Sequence, residues 1–386
     1  MASKIRLGIL GGGIGSFIGS IHTRAALLDG EFELVCGAFS SSPEISKQSG
    51  KLYHLPPSRV YGSWQELVQA EKELHQSIRM EVLAITTPNH LHFPQAMSAL
   101  SSGFHVVCDK PVAISLAEAM AIEAKVAQTG LGFALTHNYT GYPMVMEAKN
   151  LVMSGRIGNV RKVVVEYPQG WLATPVEQGD SKQARWRTNP SLSGPGGCLG
   201  DIGTHAENLA EYITGLTIDE ICADTSTLVA NRLLDDDVTV LIRYKGGARG
   251  ILLASQVSAG EENNLRIRVY GDKGGIEWQH CDPNSLTVRI INQPICVLRA
   301  GSNYSYLSNQ TRWNLRIPGG HPEGFIESFA NIYRNFAHYL NINHRGGKHI
   351  EGGFAEFPTI ADGVRGMRFV ERVVEAAARS EKWIVF

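Results

Sequence analysis

The sequence predicts a two-domain protein. An α/β N-terminal domain covers residues 1–137, and an α+β C-terminal domain with a large, mostly antiparallel open sheet covers residues 138–386. Three observations carry that prediction. The length, 386 residues, accommodates two domains of about 150 residues each. The first third alternates short apolar runs with stretches of helical spacing, the pattern of parallel strands covered by helices on both faces. After residue 155 strand-like runs follow one another directly, alternating apolar and polar residues between glycine-rich turns.

Residues 5–10 (IRLGIL) are the first apolar run and end in three glycines. Phe17, Ile18, Ile21, Ala25 and Leu28 then recur at helical spacing. A second run, Phe32 to Phe39, stops at Ser40-Ser41-Ser42-Pro43, which is turn chemistry. Helical stretches at 64–74, 92–103 and 115–130 lead into apolar runs at 80–87, 104–111 and 131–138. In the second domain strands are expected within 160–172, 218–229, 238–257, 265–279 and 285–293. One helix near His205 to Thr214 interrupts them, and helices near 322–342 and 362–379 follow. One face of the alternating sheet is too apolar for solvent, so a homo-oligomer, a dimer or tetramer, is expected through the C-terminal sheet.

Hydrophobic residues make up 43% of the chain and charged residues 19%, which excludes wholesale disorder. A net charge of -1 supplies no global basic field, so nucleic acid is not an expected partner. No apolar run reaches the ~18 residues of a membrane span, so no membrane is expected either. The cysteines Cys36, Cys108, Cys198, Cys222, Cys281 and Cys296 contain no CxxC pair. They read as reduced thiols of a cytoplasmic protein. Lys4 and Arg6 before Leu7–Ile21 superficially resemble a secretory signal, but six glycines interrupt that stretch. No metal site is expected, because His90 and His92 have neither Cys nor Glu nearby in sequence.

The segment Gly11-Gly12-Gly13-Ile14-Gly15 lies between the first strand and the first helix. A dinucleotide-binding Rossmann domain turns tightly there and sets the helix N-terminus against a pyrophosphate. Gly11, Gly13 and Ile14 are the expected contacts. The spacing departs from a strict GxGxxG, since five residues separate Gly13 from Gly19. At the tip of the second strand stand Ser40 and Ser41, with neither acid nor Arg. Serines bond either a ribose hydroxyl or a phosphate, so NAD is preferred while Lys47 leaves NADP open.

Ligands of open α/β sheets bind beyond the carboxyl ends of the strands. Those ends carry Thr86-Thr87-Pro88-Asn89-His90-Leu91-His92, Cys108-Asp109-Lys110-Pro111 and His137-Asn138-Tyr139. An apolar strand delivers Lys110 to that edge, and Pro111 fixes the turn behind it. In the second domain Asp201 and His205 are four apart, a spacing that puts both on one face of a helix start. The glycines around them argue for close approach of a ligand or another backbone.

Together these residues resemble the Gfo/Idh/MocA oxidoreductases, the glucose–fructose oxidoreductase and inositol dehydrogenase group. The resemblance runs over nearly the whole chain. It includes the glycine turn with His22 following, TTPNHLH at 86–92, and DKP at 109–111 where the family most often has EKP. It continues through GDIGTHAENLAEYITG at 200–215 and VYGDKGGIEW at 269–278. The resemblance implies Lys110, Asp201 and His205 as the catalytic group. It implies cofactor contacts from the turn and from Thr87, Pro88, Asn89, His92, Asp109, Lys110 and Asn138. Tyr139 stands where many members have Arg, so the substrate pocket differs. The segment from Trp171 to Arg187 is an extended insertion like that of longer members acting on cyclitols, free sugars or glycosides.

Oxidising a secondary alcohol removes a hydride from carbon and a proton from oxygen. A nicotinamide takes the first and the protein must take the second. His205 is expected as the principal general base, Lys110 as proton relay and oxygen clamp, and Asp201 as substrate orienter. The first two roles are exchangeable. Trp171, Trp186, Arg185 and Arg187 supply the ring faces and donors a polyol needs, with Trp186 also expected against the cofactor. His137, Tyr139 and His321 complete the expected substrate contacts. No Arg/Lys cluster for a substrate phosphate stands out. The expected activity is NAD(P)-dependent oxidation of a cyclitol or pyranose sugar, scyllo- or myo-inositol or a related sugar. A glycoside 3-dehydrogenase, a sugar reductase and a non-catalytic sugar or nucleotide sensor are the alternatives.

Overall fold

The apolar runs of the N-terminal third become parallel strands in a computed structural model of the chain, which describes residues 3–347 and 353–386. In chain order the elements are β1 (Ile5–Leu10), α1 (Phe17–Leu28), β2 (Phe32–Ala38), α2 (Pro43–Leu52), α3 (Trp64–Glu73), β3 (Val82–Ile85), α4 (His92–Ser101), β4 (His105–Cys108), α5 (Leu116–Thr129) and β5 (Phe133–Leu135). Then come α6 (Pro143–Met153), β6 (Val160–Pro168), α7 (Lys182–Arg187), α8 (Pro190–Ser193), α9 (Thr204–Thr214), β7 (Ile218–Ser226), β8 (Asp237–Tyr244) and β9 (Arg249–Ser255). The chain continues through β10 (Arg266–Gly271), β11 (Gly274–Gln279), β12 (Ser285–Ile290), β13 (Cys296–Arg299) and α10 (Asn309–Trp313). It ends with α11 (Phe325–His344), α12 (Ile360–Ala378) and β14 (Ile384–Val385).

The first five strands form one parallel sheet in the order β2-β1-β3-β4-β5. Every residue of β3 is buried, as expected of a strand with helices on both faces. The order reverses between β1 and β3, and an open α/β sheet offers its ligand crevice at such a reversal. The remaining nine strands form a second sheet in the order β13-β12-β11-β10-β6-β9-β8-β7-β14. All its pairings are antiparallel except β6 with β9. Burial alternates along β8, where Val238, Val240, Ile242 and Tyr244 face the core. The β8–β9 hairpin turns on Gly246 and Gly247, the turn the sequence marks. The short pieces β13, β14, α7, α8 and α10 carry too few residues to show a period, and the sequence does not announce them.

The chain divides into two compact units. One holds the described residues through Ala113, then Ala117–Gly141, and takes up again the described part of Phe325–Val364. The other holds Ile114–Leu116, Tyr142–Gly324 and Arg365–Phe386. A single cut after residue 137 therefore leaves a piece out of the first unit, because α11 packs on α1. Its buried face, Phe329, Ile332, Tyr333, Phe336 and Leu340, joins Ile5, Leu7, Ile9 and Phe32 in one core. Periodicity gives α11 an apolar face but cannot name what that face covers. No helix of the described residues is long and apolar enough to cross a membrane.

Candidate functional site

In the first unit, β1 hands the chain to a turn that is fixed by backbone bonds. Gly11 N–H donates to Ala38 O (3.0 Å), Gly13 N–H to Phe39 O (3.1 Å) and Ser16 N–H to Gly13 O (2.9 Å). A Cβ on Gly19 would stand 2.0 Å from Gly12 Cα, so this residue lets α1 close on the turn. Gly19 thus takes the packing role of the third glycine, and the lengthened spacing is a wider loop. The N-cap of α1, Ser16, makes no side-chain capping bond, and no acid lies in the first turn. Such a helix start suits a pyrophosphate, so the residues present fit a dinucleotide. Ile14, exposed on the same turn, donates its N–H to Ser49 Oγ (3.1 Å). At the tip of β2, Ser40 Oγ accepts from Ser42 N–H (3.1 Å), while Ser41 is exposed.

Three strand ends carry the other expected residues. Thr86 Oγ1 donates to Leu10 O (2.8 Å), and Thr87 Oγ1 to Gln95 Oε1 (2.7 Å). Pro88 and buried Asn89 lead into a single 3-10 turn, Asn89–Leu91. Asp109 Oδ1 accepts from Lys110 N–H (2.8 Å) and Thr136 Oγ1 (2.9 Å), so its carboxylate is tied to the neighbouring strand end. Lys110 is half-buried and joined to Pro111 by a cis peptide. His92 was expected to cap or contact a cofactor. Its ring is buried between two backbone oxygens, Nδ1 at 2.8 Å from Pro111 O and Nε2 at 2.7 Å from Thr87 O. Each nitrogen thus faces a carbonyl of the chain, and the ring, neutral with its lowered pKa, donates its one N–H to Pro111 O or to Thr87 O. Burial holds the His92 pKa below its ordinary value against the pull of Asp109 and the two carbonyls. His137, Asn138 and Tyr139 are all buried at the last strand end. There Asn331 Nδ2 of α11 donates to Gly141 O (2.8 Å). His22 is wholly buried too, with Nδ1 at 2.8 Å from Tyr333 Oη, and burial pulls its pKa down.

The second unit assembles a polar cluster around Asp201. Residues Leu199–Gly203 wind as a π-turn that runs into α9, rather than as the regular helix start expected. Such widened turns recur at functional sites because they re-aim side chains. Asp201 Oδ2 accepts from Gln256 Nε2 (2.8 Å) and lies 3.3 Å from Arg187 Nε. The Arg187 guanidinium lies over Trp186 (4.2 Å to the ring centroid) and nearer the edge of Trp171's reach (5.9 Å). Trp171 Nε1 donates to Gln169 Oε1 (3.1 Å), which also accepts from Gln256 Nε2 (3.3 Å). Asn263 Oδ1 accepts from Gln169 Nε2 (2.6 Å) and Tyr167 Oη (2.7 Å). The Tyr167 ring stands 6.4 Å from that of buried His205. Asp201, Trp171, Trp186 and Arg187 therefore gather, with His205 beside Tyr167. Arg185 does not join them: it is exposed on α7 and donates to Asp180 O (3.4 Å). His321 is exposed as well, in a turn short of α11 rather than at a helix start, with Nδ1 3.3 Å from Pro318 O. Tyr167, Gln169, Gln256 and Asn263 were not anticipated. Gln256 meets Tyr167 and Gln169 because β6 and β9 run side by side, with Pro168 opposite Ser255, and Asn263 arrives on the run into β10, the strand on the other side of β6.

Comparison with known proteins is consistent along the chain. Residues 5–137 match the oxidoreductase family, NAD-binding Rossmann fold, and residues 145–277 match the GFO/IDH/MocA C-terminal domain. The uncharacterized oxidoreductase YfiI of Bacillus subtilis is 32% identical over 100% of this chain and 98% of its own. Levoglucosan dehydrogenase of Pseudarthrobacter phenanthrenivorans is 25% identical over 99% of this chain and 98% of its own. An inositol dehydrogenase homolog from Azotobacter vinelandii, solved with NADH and myo-inositol, superposes with a TM-score of 0.91 at 33% identity, covering 100% of this chain and 98% of that one.

Proposed function

The chain belongs to the GFO/IDH/MocA oxidoreductase family, and from that premise we propose an NAD-dependent dehydrogenase that oxidises a secondary hydroxyl of an unphosphorylated cyclitol or pyranose sugar. The observation that carries this reading is the Asp201 cluster. A carboxylate beside Gln256 and Arg187, next to two indole rings, suits a ring crowded with hydroxyls. The inositol and levoglucosan relatives support the same substrate class, with an inositol as first choice and an anhydrosugar as second. All six cysteines are free thiols, which supports a reducing, cytoplasmic setting.

Bound NAD supplies the hydride acceptor. The chain supplies the proton chemistry and the positioning. His205, on the first turn of α9, takes the proton of the reacting hydroxyl. Lys110 clamps the same oxygen and relays the proton, with the two roles exchangeable. Asp201 accepts a hydrogen bond from a neighbouring hydroxyl and so fixes which carbon reacts. The Gly11–Ile14 turn holds the pyrophosphate, with Ser40, Thr87, Asn89, Asp109, Asn138 and Trp186 as further cofactor contacts. His137 and Tyr139 are assigned to the substrate.

The test is reduced-nicotinamide absorbance on purified protein, with NAD and NADP offered separately against scyllo-inositol, myo-inositol, levoglucosan, glucose and a simple glucoside. Turnover with one polyol and NAD is the expected result. Silence across the panel with cofactor binding confirmed by fluorescence rejects the substrate class. Lys110→Ala should lose about 10²-fold or more in kcat while still binding NAD. Near-normal turnover of that variant rejects the catalytic group.

A further inference from the structure

We propose that Asp235 is a positioning residue for the catalytic pair, anchoring the segment that carries Asp201 and His205 through its backbone. Asp235 lies in the loop between β7 and β8, outside every motif discussed above. Its side chain grips three consecutive residues. Oδ1 accepts from Gly197 N–H (2.7 Å), and Oδ2 accepts from Leu199 N–H (2.8 Å) and from the Cys198 thiol (3.2 Å). Its own carbonyl accepts from Cys198 N–H (2.9 Å). One residue thus takes up four donors from the strip that enters the π-turn at Leu199.

The arrangement is a helix cap supplied from a distant loop. No side chain of the segment itself caps the π-turn or α9, and residue 203, where a cap would stand, is Gly. Gly197 fits only as glycine, because a Cβ there would lie 2.1 Å from Asp235 O. Burial raises the Asp235 carboxyl above its ordinary pKa, while the backbone donors at Leu199 and Gly197 and the Cys198 thiol pull the other way. Three donors hold the carboxylate in place against that cost. Asp201 follows two residues after its last donor, Leu199, and His205 four residues after that, so a shift of the strip moves both together. A 1 Å misplacement of reacting groups costs up to about 10²-fold in rate.

The inference rests on the assignment of Asp201 and His205, and the test separates the two. Asp235→Asn keeps the shape but sets an amide N–H₂ against donors on at least one side. It should lower kcat by about tenfold or more, per enzyme counted by bound NADH fluorescence, and displace the pH profile of kcat, with the Kd for NAD unchanged. Cys198→Ala removes one donor and should lower kcat severalfold, while Cys198→Ser restores it. That pair decides the matter if Asp235→Asn does not fold. Wild-type kcat and pH profile in Asp235→Asn, or equal kcat in the two Cys198 variants, overturns the positioning role. Asp201→Ala and His205→Ala are measured alongside. If those two retain turnover, the catalytic assignment itself has failed; if they lose it while Asp235→Asn does not, only the present inference has.

Discussion

Gly19 shows how a single missing side chain sets the cofactor turn. The atoms that a Cβ would meet, Gly12 Cα at 2.0 Å and Gly12 N at 2.7 Å, are backbone and have no rotamer to yield. Gly19→Ala should therefore cost about 1–3 kcal/mol in stability through overpacking. It should also weaken NAD binding, read by fluorescence titration, because α1 is pushed off the turn. Unchanged affinity would show that the pyrophosphate does not depend on the approach of α1. At this scale the sequence was informative wherever chemistry is local. Lys110 at a strand end, Asp201 four before His205, and Trp186 beside Arg187 are all legible from spacing. Gln169 and Gln256 were not, because a polar residue just past a strand end carries no signature. They touch across 87 residues of chain through the parallel register of β6 and β9. Asp235 escaped for the same reason, since its four donors lie far upstream in the sequence.

Among the elements, β4 carries a titrating group at its start. His105 Nδ1 accepts from Gly132 N–H (2.9 Å), which requires that nitrogen to be unprotonated. Burial, and secondarily His344 with its ring 4.6 Å away, pulls the His105 pKa down to about 4. The unfolded ring, with a pKa near ~6.5, takes up its proton at higher pH than the folded one. The stability this group contributes is complete above that value and is lost as pH falls toward 4, about 3 kcal/mol at most. Urea unfolding at pH 7 and pH 4.5 should show a smaller difference for His105→Asn than for the wild type. Equal differences would remove His105 from the acid response. The elements themselves were readable where they are long. α11 and α12 lie within a few residues of the expected helices, and the five parallel strands occur in their expected runs. What α11 covers was not readable, because an apolar stripe specifies burial without specifying a partner.

For the whole molecule, the outward face of the nine-stranded sheet carries the expectation of self-association. Leu241, Ile251 and Val164 stand opposite one another across β8, β9 and β6, and the row continues through Arg268 to Glu277 on β10 and β11. An apolar centre that passes into a charged edge on one side is the composition of a subunit interface. The face should pair with a second copy, giving a dimer or tetramer by light scattering at micromolar concentration. Leu241→Lys should shift that particle toward monomer, and a wild-type monomer would sink the proposal.

The return of α11 to the first unit also orders events in time. The core around His22, Phe32 and Ile5 is closed by Phe329 and Tyr333, which a ribosome reaches about 190 residues after it has finished β5. At synthesis rates of ~5–20 residues per second that interval lasts about 10–40 s. Throughout that wait one flank of α1 has no partner from α11. Truncation after residue 137 would make that wait permanent.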